Sequence, residues 1–169
     1  MWTLWVVLSV CSVTVVTPFN LDQVNYAVYQ KDTGSMFGFA ITVHKDRANE
    51  GWVLVGAPFA QSIFQNASMV YRGGAVYRCS ARGDSSCEEV PFDRENNAFF
   101  RTSMLDDKSQ RWLGATLSSS GVTDGPVVAC APRYIWFTKD LNRRDPVGTC
   151  FVSNGAFTSF EEYSPCRTS

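Results

Sequence analysis

Phe37-Gly38-Phe39-Ala40-Ile41-Thr42-Val43 opens a series of short apolar runs, continued by Trp52-Val53-Leu54-Val55-Gly56-Ala57 and Gly74-Ala75-Val76-Tyr77-Arg78-Cys79. Each is rich in β-branched and aromatic residues and bounded by Gly, Asp, Asn or Ser, which reads as strand. Cys87-Glu88-Glu89-Val90-Pro91-Phe92 supplies a fourth, and Pro58, with no amide to give a ladder, ends the second. The series then recurs as Trp112–Leu117, Val127–Pro132, Gly148–Val152 and Glu161–Cys166. The offset is 76 residues from Gly38 to Gly114, and 74 both from Ala57-Pro58 to Ala131-Pro132 and from Gly74 to Gly148. A repeat of this kind indicates an array, and four short antiparallel strands per unit indicate a β-propeller blade. The expected fold is therefore all-β, with about two four-stranded antiparallel blades. Residues 19–93 form the first blade with an N-terminal strand, 94–110 a connecting loop, and 111–169 the second blade. Glycines inside apolar runs, Gly38 and Gly56, are expected where adjacent blades crowd near the axis.

Upstream of the repeat, residues 1–18 begin MWTLWVVLSVCSVTVV, an apolar run with no charged side chain and shorter than a bilayer span. This reads as a secretory signal peptide. Its removal takes Cys11 and leaves Cys79, Cys87, Cys130, Cys150 and Cys166, an odd set for an oxidising compartment. Asn66-Ala67-Ser68 is a glycosylation sequon, consistent with secretion. The 15 basic and 16 acidic side chains give a net charge of -1, which supplies no pull toward nucleic acid.

The order Phe37-Gly38-Phe39, Val55-Gly56-Ala57-Pro58 and Gly73-Gly74-Ala75-Val76-Tyr77 resembles the FG-GAP repeat of integrin α subunits. Phe19-Asn20-Leu21-Asp22 looks like their mature N-terminus. Cys130-Ala131-Pro132-Arg133-Tyr134, Asp145–Cys150 and Glu162–Arg167 are most similar to the subgroup that binds Arg-Gly-Asp ligands and lacks an α-I domain. Leu113 stands where Phe often occurs. The resemblance implies a seven-bladed propeller of which this chain carries about two blades. It implies disulfides Cys79–Cys87 and Cys130–Cys150, and for Cys166 a partner beyond Ser169. It also implies an integrin β subunit and an extracellular-matrix ligand as partners, a location on the extracellular face of the plasma membrane, and no cofactor here, with calcium in later blades. In integrins a basic side chain of the β subunit enters an aromatic cup on the propeller face. Phe39 and Trp112 match two positions of that cup.

Catalysis has little support. The single histidine, His44, reads as a strand-end surface residue, and no G-x-S-x-G accompanies it. The cysteines lack C-x-x-C spacing, and Asp106-Asp107 is too short for a calcium loop. Arg82-Gly83-Asp84 lies between Cys79 and Cys87, and reads as a turn because Gly and Asp are ordinary turn residues. Two readings from other classes compete with the receptor. One is a secreted adhesion ligand displaying Arg82-Gly83-Asp84, and the other is an accessory propeller module of a secreted enzyme.

Overall fold

The computed structural model describes residues 24–48, 50–83, 86–138 and 143–167. The proposed leader, the Phe19–Asp22 start and Asp84 of the tripeptide lie outside the described residues. Every regular element described is a strand. β1 (Ala40–Lys45), β2 (Gly51–Ala57), β3 (Ala75–Ser80) and β4 (Cys87–Val90) form an antiparallel sheet in chain order.

The stretch expected to be only a connecting loop contains a small hairpin, β5 (Phe99–Phe100) with β6 (Ser103–Met104), and then β7 (Asp106–Asp107). The second four-stranded sheet is built from β8 (Thr116–Ser119), β9 (Val127–Ala131), β12 (Thr149–Ser153) and β13 (Phe160–Tyr163). Between β9 and β12 the chain makes β10 (Ile135–Thr138) and β11 (Arg143–Pro146), and β10 also pairs with β7. This three-stranded sheet went unread because β7 has only two residues and gains its ladder from a segment about 30 positions away. The two larger sheets are the four-stranded blades of a β-propeller.

Strand parity places the core. In β2, Leu54 and Gly56 share a face with Val76 and Val90 of the neighbouring strands. That face meets Val127, Ala129 and Phe151 of the second sheet in one buried cluster that also holds Phe92 and Leu113. Each of these larger side chains contributes roughly 1.5–3 kcal/mol by leaving water. The opposite face of β1 carries Ile41 and Val43, which are 62% and 71% exposed.

Where the two sheets meet, their backbones touch. A Cβ on Gly56 would lie 1.9 Å from the Gly114 carbonyl oxygen, and one on Gly114, at φ 89°, 2.7 Å from that of Ala75. Gly38 has a different reason. Its added Cβ would meet nothing within 4 Å, and its φ of 95° is what selects glycine. Crowding was expected at both Gly38 and Gly56; the described residues crowd only Gly56.

The repeat extends to backbone detail. Gly38 N–H donates to Gly56 O at 3.1 Å and Gly114 N–H to Cys130 O at 3.2 Å. Met36 and Trp112, each two residues before the glycine, share a positive φ of 57° and 66°. These turns delay β1 to Ala40 and β8 to Thr116, later than the apolar runs suggest.

His44 is not a surface residue. Its place in β1 turns it toward the second sheet, where it is 4% exposed. Nε2 lies 2.8 Å from Gly155 O and Nδ1 3.2 Å from Ser119 Oγ, and the ring packs edge-on against Phe157. A carbonyl only accepts, so Nε2 carries the hydrogen and donates it. The polar neighbours Lys45 and Asp46 suggested a surface site, yet the single step of strand parity decides burial.

Candidate partner interface

Three aromatic rings from three turns gather at the end of the sheets where β1 and β8 begin. Phe39 and Trp112 pack edge-on with ring centroids 6.2 Å apart, and Phe59 lies against Trp112 at 5.5 Å. Phe39 is 49% exposed, so the cluster opens to solvent. The Gly38 turn presents Phe39, whose N–H is held by the carbonyls of Met36 and Gly56. Trp112 is presented by the equivalent turn of the second blade, and Leu113 forms a parallel bridge with Gly74 of the first. Phe39 and Trp112 occupy different positions of the repeat, and they meet because successive blades are adjacent.

Two guanidiniums cap the cluster. Arg72 lies over Phe59 at 5.5 Å and Arg133 over Trp112 at 5.2 Å. Arg72 is fixed by donation to the backbone carbonyls of Phe59 and Gly34. Sequence reasoning missed Phe59, Arg72 and Arg133, although a signal existed for two of them. The 74-residue offset aligns Phe59 with Arg133, each directly after an Ala-Pro pair.

Next to Trp112 in the chain, Arg111 belongs to a buried charged cluster. The Asp93 carboxylate accepts from Arg111 Nη1 at 2.5 Å and Lys108 Nζ at 2.9 Å. Arg111 is fully buried, stacks on Phe151, and has no partner for Nε or Nη2 among the described residues. Burial pushes the Asp93 carboxyl up, but the adjacent Arg111 and Lys108 cations outweigh it and hold it below the usual range. Arg111 precedes Trp112, and its carbonyl accepts from Arg133 N–H at 3.1 Å. The charged cluster therefore anchors both the turn that presents Trp112 and the residue that caps it.

The remaining candidates lie elsewhere. Disulfides join Cys79 to Cys87 and Cys130 to Cys150, while Cys166 is exposed and bonded to no other described cysteine. Asn66 is exposed, and its Oδ1 accepts from the Ser68 amide and hydroxyl. In the β3–β4 turn, Gly83 has a φ of 81° and Arg82 is ion-paired with Glu50 at 2.9 Å. Among the described residues, no group of His, Cys, Asp and Glu is arranged to hold a metal ion.

No protein-family model matches the sequence. The chain is 42% identical over 158 residues to integrin alpha-8 of Homo sapiens, covering 89% of this chain and 14% of that protein. It is 42% identical to integrin alpha-PS2 of Drosophila melanogaster, covering 89% and 11%, and 32% identical to integrin alpha pat-2 of Caenorhabditis elegans, covering 90% and 13%. The chain thus spans about a seventh of the length of the curated relatives it matches first. With the two blades and their shared turn geometry, these similarities show that the chain belongs to the integrin α family and corresponds to the N-terminal part of such a subunit.

Proposed function

We propose that Phe39, Phe59 and Trp112 form part of the surface through which the full-length subunit pairs with an integrin β subunit. The assembled receptor would bind extracellular-matrix ligands on the outer face of the plasma membrane. Asn66 would carry a glycan, Cys166 would pair with a cysteine further along the subunit, and calcium would belong to later blades. The activity is recognition rather than bond chemistry.

The observation that supports this reading is the solvent-open aromatic cluster assembled from three turns, with Trp112 more than 50 positions from Phe39 and Phe59. Burying such rings in a monomer would be ordinary packing. A half-exposed Phe39 beside Trp112 leaves a π-face that attracts a cation, a contact worth roughly 0.5–2 kcal/mol beyond the area buried. Phe39→Ala in the full-length subunit is expected to weaken pairing with the β subunit by about 30-fold, the effect of losing an aromatic anchor of roughly 2 kcal/mol. Co-capture of the two subunits from cell-surface extracts measures it. Wild-type capture by the variant would end this proposal.

A further inference from the structure

The aromatic cluster is already supplied with cations from its own chain. Phe59 and Arg133 occupy the same position of successive repeats and both contact Trp112. Arg72 stands on Phe59. The order Arg72, Phe59, Trp112, Arg133 is thus a ladder with a guanidinium at each end. Phe39 is the ring of the cluster that carries no cation from the described residues.

The two guanidiniums differ in what they have left to offer. Arg72 is tied to its own chain through Nε and Nη2, which donate to two backbone carbonyls. Arg133 is exposed, and its guanidinium makes no ion pair or side-chain hydrogen bond with the described residues. Stacking uses the face of a guanidinium and leaves its edge of N–H donors free for a carboxylate. Arg133 also borders a groove of about 380 Å³ that includes Tyr71, Gln110, Pro132, Ile135 and Pro146. The other charge in the groove, Asp107, is engaged by Arg144 at 2.8 Å. The groove therefore presents one cation without a counter-ion, flanked by apolar and amide surface.

We infer that the partner's contact surface is bipolar, placing a cation on Phe39 and a carboxylate on the edge of Arg133. This rests on the β-subunit reading above and commits to the same partner. A second cation over Trp112 would meet Arg133 at close range, so charge complementarity favours an acidic group there. Arg133 is on this view a specificity-determining residue, selecting β subunits that carry an acidic side chain beside the basic one.

The test uses the full-length subunit co-expressed with its β subunit, with pairing measured by co-capture at two salt concentrations. Arg133→Lys keeps the charge, Arg133→Met keeps a long side chain over Trp112 without charge, and Arg133→Glu reverses it. Arg133→Lys, which keeps the charge but not the stacked fork, is expected to fall between wild type and Arg133→Met, with Arg133→Met about 5–10-fold and Arg133→Glu at least 30-fold weaker than wild type, as for truncation and reversal of an interfacial charge. The salt dependence should shrink in Arg133→Met. Equal losses for Met and Glu, with unchanged salt dependence, would assign Arg133 a packing role and overturn the inference. So would undiminished pairing by Arg133→Glu. If that occurs while Phe39→Ala fails to pair, the bipolar surface falls and the aromatic interface stands. If Phe39→Ala also pairs normally, both fall. Wild-type protease resistance of each variant subunit in cell extracts controls for folding.

Discussion

Asp93→Asn should destabilise the chain by about 3–5 kcal/mol, because it leaves two buried cations without their carboxylate. Lys108 and Arg111 both point at Asp93 Oδ2, and neither side chain is more than 6% exposed. An amide oxygen still accepts a hydrogen bond but carries no charge to offset the two. Arg111→Met gives the opposite expectation. It removes one of the two cations together with the unpartnered Nε and Nη2 donors, leaving Lys108 and Asp93 matched. Replacing a buried charge by a well-packed apolar chain is often neutral or stabilising. Urea unfolding followed by tryptophan fluorescence separates the two variants. A loss below about 1 kcal/mol for Asp93→Asn would show that water reaches the cluster and screens it.

The same cluster sets an acid dependence. The carboxyl of Asp93 is held below its ordinary value in the fold, so the unfolded chain takes up its proton first as pH falls. Its contribution is fully present above the unfolded value of about 3.9 and is lost as pH descends through the lower folded value. Asp93→Asn should flatten the stability profile in that acid window and leave the neutral region parallel to wild type. An unchanged acid limb would assign the dependence to other carboxylates.

Gly56→Val is expected to have the second large effect, and it should act on the junction between the blades. The added Cβ would stand 1.9 Å from a backbone oxygen, where no flexible side chain can yield. Overpacking in cores typically costs about 1–3 kcal/mol, and a backbone neighbour places this site at or above the upper end. The sheets must separate locally, which strips cover from Leu54, Val76 and Ala129. Gly38→Ala is the control. Its Cβ has space, and only the positive φ opposes it, at roughly 1–2 kcal/mol. Thermal unfolding of both variants would check the order, and a smaller loss for Gly56→Val than for Gly38→Ala would contradict the backbone contact.

Much of this molecule was legible in the order of its residues. Strand, turn and repeat are local or periodic properties: β-branched runs, Ala-Pro stops and glycines at a constant offset are visible without coordinates. The resemblance that identified the family rested on those same motifs. Even the positive φ shared by Met36 and Trp112 follows from the repeat, since each sits two residues before the equivalent glycine.

The assembled surface was not legible, for a physical reason. Phe39 and Trp112 could each be named as aromatic positions, but their contact depends on how one blade is rotated against the next. The cation over Phe59, Arg72, comes from a further loop whose proximity no spacing encodes, and the repeat that aligns Arg133 with Phe59 does not show that Arg133 lies over Trp112. His44 makes the same point in reverse, because its charged neighbours suggested a surface residue and strand parity buried it between the sheets. Sequence alone determined the blades, since backbone ladders and turn geometry are dictated by residues near one another. Only the tertiary structure decided which side chains share a low-dielectric interior and which share an open face, because burial and charge pairing depend on distances between segments that the chain itself does not link.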